Sequence, residues 1–319
     1  MTKLRVAVLR GGPSAEYDVS LKSGGAVLKN LPESCSAQDI FISKNGVWHR
    51  DGMEKTPDKA LVGIDIVFNT LRGDYGEDGK VQKILDRINI PYIGSDALGS
   101  SVASNKVLTK RILEQAGIKT PYYSIVRAGD NLAEKVNYAF NHFLLPVIVK
   151  PATAGSSKGV TLVKSFLDLE SAILQALQFS DSVIIEEFIK GREVVCGVID
   201  GFRNDSHYVL IPHEIVHPKG KEIHDHESKT KKLSNSKVSD ALTEAEKKDI
   251  QNLAKKVHDI MKLRHYSKID MIASPRRGVF VLEANTQPSL AEDDLFVSML
   301  NSVGSNLTDF LDHLIVRSR

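Results

Sequence analysis

IDMIASPRRGVFVLEANTQP, residues 269–288, holds two apolar runs separated by a turn at residues 275–278, the pattern of an antiparallel strand pair. If the runs pair, Asp270 and Glu283 project to one face, and Asn285, two residues after Glu283, joins them. Two carboxylates and an amide oxygen form a hard-oxygen site suited to Mg²⁺ rather than zinc. A solvated strand edge is the alternative. It is the weaker one, because carboxylates flanked by apolar residues belong to buried strands, where they cost several kcal/mol unless paired or metal-bound.

The surrounding 319 residues are ordinary in composition, with 42% hydrophobic and 6% aromatic side chains, which excludes collagenous and disordered classes. The formal charge is +2, from 42 basic against 40 acidic residues, so no large field marks a nucleic-acid binder. No 18-residue apolar run occurs, and the apolar stretch before Arg10 is too short for a signal peptide; a cytoplasmic protein is expected. Cys35 and Cys196 stand far apart, outside any CxxC, and are expected to be small buried hydrophobes.

Toward the N-terminus, short apolar runs alternate with amphipathic stretches, as in parallel strands joined by crossover helices. Strands are predicted at 4–10, 36–43, 65–70 and 91–95, with helices at 20–31 and 81–90, making one Rossmann-like α/β unit over 1–99. Residues 100–190 form a second, α+β unit, and 191–319 a third. A single strand is expected over 207–216, and a capping box of Thr243 and Glu246 opens a long helix. Between them, 218–240 is polar and almost free of apolar residues, which in a compact domain marks a lid or a disordered loop.

Three lysines could meet polyphosphate. Lys150 ends an apolar strand just before PATAGSSKG (151–159), a small-residue loop whose backbone N–H groups could wrap phosphate oxygens, and Lys158 lies inside it. Lys106 sits in the first turn of its helix, where a cation is unfavourable without an anionic partner. Each alone is more often a solvated lysine, and the loop lacks the GxxxxGK[ST] spacing of a Walker site. Glu186 and Glu187, with Glu193 beyond Gly191, could line a nucleoside pocket at a hinge; an ordinary polar linker is the alternative.

In order, GGPSAEYDVSLKSG (11–24), GDYGEDGKVQ (73–82), PYIGS (91–95), SNKVLTK (104–110), VKPATAGSSKGV (149–160), IIEEFIKGRE (184–193), KIDMI (268–272) and LEANTQP (282–288) follow one another. The chain thereby resembles the D-alanine:D-alanine ligases of the ATP-grasp superfamily over essentially its full length. The resemblance implies an ATP-grasp fold, mixed α/β and α+β, of three domains. It further implies a cytoplasmic homodimer, ATP, and two Mg²⁺ ions, for which Mn²⁺ can substitute. The activity implied is ATP-dependent joining of two D-alanines for peptidoglycan precursors, through an acyl phosphate. Matching the motifs residue by residue, Lys106 and Lys150 fall on phosphate-contacting lysines and Ser156 and Ser157 on the phosphate-covering loop. Glu186, Glu187 and Ile189 fall around the adenine, Glu193 at the ribose, and Asp270, Glu283 and Asn285 on the metal ligands. Glu16 matches the acid that positions the first substrate's ammonium group, with Ser156 bonded to it, and Lys229 the lysine of the lid.

The departures fall in the substrate region. Arg72 replaces a histidine and retains charge without titrating near neutrality. Thr230 replaces the lid's tyrosine. Lys268 replaces an arginine expected at the tetrahedral oxyanion, losing the two-pronged geometry. In PSLAEDDLF (288–296), Ser289 replaces a glycine, and Asp294 stands where a serine would hold the second substrate's carboxylate. An acid there repels that carboxylate. Either a neighbouring backbone N–H restores a donor, or the acceptor differs, which keeps open a carboxylate:amine ligase of another specificity and an ATP-binding homologue without turnover.

Overall fold

The computed structural model describes residues 3–216 and 235–318. Lys229 and Thr230, with most of the 218–240 lid segment, lie outside the described residues.

The first sheet contains β1 (Leu4–Gly11), β2 (Cys35–Ile42), β3 (Trp48–Arg50), β4 (Met53–Lys55), β5 (Ile66–Asn69) and β6 (Tyr92–Ile93). Their order is β4-β3-β2-β1-β5-β6; β1, β2, β5 and β6 are parallel, and β3 and β4 form an antiparallel hairpin at the edge. Between the strands run α1 (Tyr17–Asn30), the short α2 (Pro57–Ala60) and α3 (Lys80–Ile88). Because β2 and β5 flank β1 on opposite sides, their connections diverge and open a crevice at the C-terminal end of β1, where α/β sheets bind ligands.

Next come α4 (Ala97–Ser104) and α5 (Lys106–Gln115). The side chain of Asn105 caps α5 by accepting from the N–H groups of Val107 and Leu108. A second sheet, order β7-β10-β8-β9, contains β7 (Tyr123–Arg127), β8 (Val147–Pro151), β9 (Thr161–Val163) and β10 (Ser182–Glu187). The helices α6 (Leu132–His142) and α7 (Leu169–Leu177) accompany it. Ala139, Ile173 and Ala176 share a core with Val147, Val149, Val183 and Ile185.

The third sheet contains β11 (Arg192–Asp200), β12 (His207–Val209), β13 (His213–Val216), β14 (Asn235–Val238), β15 (Tyr266–Ser274) and β16 (Gly278–Asn285). The strand expected over 207–216 is two, interrupted at Pro212, which has no N–H for a ladder. The end of the polar stretch read as lid or loop is a strand, β14, paired with β13. Helix α8 (Glu244–Ile260) opens with the expected capping box, and α9 (Leu295–Ser302) and α10 (Leu307–Arg317) close the chain. Phe296, Phe310 and Leu314 share one core with Val6, Val8 and Phe68 of the first sheet, so the C-terminal helices clamp that sheet against the third. Both cysteines are buried and free. Among the described residues no helix is long and apolar enough to cross a membrane.

Candidate functional site

A cavity of about 580 Å³ lies where the crevice of the first sheet meets the loop after β8 and the β15–β16 pair. It brings together ten of the residues singled out from sequence: Glu16, Arg72, Lys106, Ser156, Lys268, Asp270, Glu283, Asn285, Ser289 and Asp294.

At the crevice, β1 ends in Gly11, with φ +92°, where a Cβ would meet the Ile42 carbonyl oxygen at 2.2 Å. Only glycine permits that turn, which delivers Glu16 to the start of α1. Arg72, just past β5, places its guanidinium 3.5 Å from Glu16, with a closer contact to Glu77 and a bond to the Gln287 carbonyl. Burial alone would lower the Arg72 pKa, but Glu77 and Glu16 outweigh it and hold it raised. Buried Glu16 and half-buried Glu77 share this one cation. Burial therefore pushes Glu77 up to about 6, aided by Glu16 and opposed by Arg72. Gln287 fixes the crevice to the third sheet, donating to the carbonyls of Asn69 (2.6 Å) and Leu71 (2.9 Å).

On the opposite wall, Asp270 of β15 stands in register with Glu283 of β16, and Lys268 with Asn285, so all four share one face as expected. A bulge follows at once, since Met271 pairs with Val281. Lys268 Nζ lies 3.0 Å and 2.9 Å from the two oxygens of Asp270. Burial would lower the Lys268 pKa, but Asp270 outweighs it, and the ammonium stays charged. Lys106 Nζ reaches to 3.6 Å from Glu283 and donates to the Ala154 carbonyl at 2.8 Å, tying the glycine-serine loop to this face. In that loop Ser156 and Ser157 both have positive φ, near 55°, a turn of the kind that exposes successive N–H groups. A Cβ on Gly155 would come within 2.7 Å of Glu16, so the loop approaches the crevice closely. Asp270, Glu283 and Asn285 offer only oxygen donors on one face, a set that fits a hard divalent ion such as Mg²⁺.

The nucleoside candidates lie beside this cavity rather than in its lining. Lys150 of β8 pairs with Ile184 of β10, and Glu186, two residues on, shares its face and accepts from Lys150. Lys110, one turn after Lys106 on α5, completes the group: its fully buried ammonium lies 3.1 Å from Glu186 and donates to Thr120 Oγ1 at 2.7 Å and the Pro121 carbonyl at 3.0 Å. Burial would raise the Glu186 pKa, but the two lysines hold it low; burial, with Lys150, pushes Lys110 down to about 8. Glu187 is turned to another purpose, held by Arg277 at 2.8 and 3.1 Å and by the Tyr122 N–H at 2.9 Å. Ile189 is buried, and Glu193 is half-buried on β11, opposite Ile272.

Sequence reasoning missed Glu77, Lys110 and Gln287. Lys110 had a signal, its i+4 spacing from Lys106 on one helix face. Gln287 had none, because its partners are carbonyls more than 200 residues away.

Ser289 faces α1 as well as the cavity, its hydroxyl 2.9 Å from that of Ser23. Asp294 is the N-cap residue of α9, with no side-chain capping bond, and it lines the cavity together with the first turn of α9.

The family model described as D-ala D-ala ligase C-terminus matches residues 112–316, and that described as D-ala D-ala ligase N-terminus matches 5–61 and 49–95. The chain is 36% identical over 313 residues to a D-alanine–D-alanine ligase of Desulforudis audaxviator, covering 98% of this chain and 97% of that protein. It is 34% identical over 315 residues to one of Aquifex aeolicus, covering 98% and 100%. Among solved structures, the VanG D-Ala:D-Ser ligase of Enterococcus faecalis superposes with a TM-score of 0.86 at 26% identity, covering 100% of both chains. The D-alanyl-alanine synthetase A of Vibrio cholerae gives the same TM-score and identity, covering 100% of this chain and 99% of its own.

Proposed function

Because the chain belongs to the D-alanine–D-alanine ligase family, whose members are ATP-dependent ligases, we propose that this cavity joins two D-alanines into the dipeptide of peptidoglycan precursors. The observation that carries it is the meeting, in one cavity, of the Glu16–Arg72 crevice, the Lys106-tethered Ser156 loop and the oxygen face of β15 and β16. Glu16 holds the ammonium of the first D-alanine, beside Ser156. Lys106, Lys150, Ser156 and Ser157 hold the phosphates, and Glu186, Glu187, Ile189 and Glu193 surround the nucleoside, Glu187 through its backbone because Arg277 occupies its carboxylate. Asp270, Glu283 and Asn285 hold two Mg²⁺ ions, or Mn²⁺ in their place, which when bound neutralise the transferring phosphoryl group. By the family resemblance Lys229, outside the described residues, matches the lid lysine.

Transfer of the γ-phosphoryl group to the first carboxylate gives an acyl phosphate, and the second amine displaces phosphate from it. Lys268 stabilises the oxyanion formed in that attack, since its charge is fixed before the reaction and costs no reorganisation. Water must be kept from the acyl phosphate. Arg72, Ser289 and Asp294 form the substrate end. Three sheets, one in each segment, support domains at 1–99, 100–190 and 191–319. Buried thiols support a reducing cytoplasm, and the family resemblance supports a homodimer.

The position of Asp294 in the lining favours a second reading, an acceptor other than D-alanine. Phosphate release from ATP, measured with a panel of amino acids and followed by product mass, tests both: D-alanine-dependent release with D-alanyl-D-alanine as product supports the first, and a different mass supports the second.

A further inference from the structure

A separate polar cluster lies at the end of β11. Asp200 pairs in register with His207 of β12, and His258 reaches them from the last turn of α8. One oxygen, Asp200 Oδ1, faces both rings, 2.7 Å from His207 Nδ1 and 3.0 Å from His258 Nε2. The far nitrogen of each ring also has a partner: His258 Nδ1 is 2.7 Å from Ser267 Oγ, and His207 Nε2 is 2.8 Å from Asp259 Oδ1.

We propose that Asp200, His207 and His258 form a binding site for a divalent transition-metal ion of the zinc type, distinct from the oxygen site on β15 and β16. Two imidazole nitrogens and one carboxylate oxygen, all within 4.8 Å of one another, select zinc-like ions over Mg²⁺. Hydrogen-bond inventory points the same way. His207 meets a carboxylate oxygen at each nitrogen, so positive charge is needed between the two acids, as a second ring proton or as a bound cation. A cation between Nδ1 and Asp200 supplies it and leaves Nε2–H for Asp259. His258 then donates Nδ1–H to Ser267. Each ligand ring thus has the outer partner that metal-binding histidines ordinarily have.

The frame is rigid. Asp200 Oδ2 accepts from the His265 N–H at 2.7 Å, its carbonyl accepts from His313 Nε2 at 2.7 Å, and its own N–H donates to the His265 carbonyl at 2.9 Å. Tetrahedral ligation at ~2.0–2.1 Å places donor atoms roughly 3.3 Å apart, so the 2.7 Å and 3.0 Å contacts to Asp200 open by about 0.6 and 0.3 Å. His258 is fully buried, whereas His207 lines a surface groove of about 490 Å³. Bound there, the ion ties the β11–β12 hairpin to α8.

The test uses the full chain, stripped of metal by a chelator and titrated calorimetrically with Zn²⁺ alone in a large excess of Mg²⁺. One equivalent is taken up with micromolar or tighter affinity, the melting temperature rises, and Co²⁺ in place of Zn²⁺ gives the visible absorption of a four-coordinate site. His207→Gln, at the rim of the groove, weakens uptake at least tenfold, and Asp200→Asn removes the Co²⁺ spectrum. Absence of uptake, or uptake that survives both substitutions, overturns the proposal. So does uptake lost with Asp270→Asn but kept with His207→Gln, which places the ion in the cavity.

Discussion

Half-buried Lys268 and buried Asp270, two residues apart on β15, form an ion pair in which one ammonium contacts both carboxylate oxygens, at 3.0 and 2.9 Å. In the proposed reading the lysine has two tasks, compensating the Asp270 carboxylate and presenting charge to the reacting centre. Removing one partner of a buried pair leaves an uncompensated charge and costs about 3–5 kcal/mol. Lys268→Met is expected to lower stability toward denaturant by that order, and Mg²⁺ is expected to restore much of it by taking the lysine's place beside Asp270. Urea unfolding with and without Mg²⁺ measures both. A variant as stable as the parent without Mg²⁺ would separate Lys268 from the metal face.

Loss of a metal ligand or a phosphate lysine should reach turnover before it reaches the fold. Glu283→Ala and Lys150→Ala are expected to lower kcat by about 10²–10³ or more, the range for removing one electrostatic stabiliser. Glu186 retains Lys110 when Lys150 is gone, so its buried charge stays compensated. Steady-state phosphate release beside circular dichroism checks the pair of statements, and parental rates in either variant contradict the site.

Lys110 makes stability depend on pH. Burial lowers its pKa in the folded protein to about 8, against an ordinary value of 10.5. Between those values the unfolded chain binds more protons than the folded one, so this residue's contribution to stability rises with pH across the window. The slope is at most ~1.4 kcal/mol per pH unit. Lys110→Met removes this rise, which denaturation of both proteins from pH 7 to 10.5 reveals as a difference. The same substitution leaves Glu186 to Lys150 alone and is expected to raise the KM for ATP by about tenfold.

On the second reading, acceptor choice turns on Asp294. Serine is as good an N-cap as aspartate, so Asp294→Ser keeps α9 while removing a negative charge from the cavity. Combined with Lys268→Arg, it is expected to increase D-alanyl-D-alanine formation severalfold, read by product mass. An unchanged product profile means that the acceptor's carboxylate is bound elsewhere.

Much of the site was legible because strand periodicity and motif spacing are local. The facing of Asp270 and Glu283 follows from the two-residue alternation on either side of one turn, and the structure has it in register. The glycine-serine loop and the capping box of Thr243 and Glu246 were equally local. What sequence missed depends on long-range geometry. Arg72 was legible as a cation, but not that Glu77 and Glu16 share it, since Glu16 arrives from another strand end. The strand expected over 207–216 failed for a local reason passed over, a proline without an N–H at position 212. The Asp200, His207 and His258 cluster needed a strand pairing and a helix packing that no spacing encodes.

The most direct test of the central claim is phosphate release from ATP and Mg²⁺ by the full chain across a panel of amino acids, with product masses. The account predicts release that depends on D-alanine and a dipeptide product formed in equal amount. Phosphate at background with every amino acid, while ATP still binds, would contradict it.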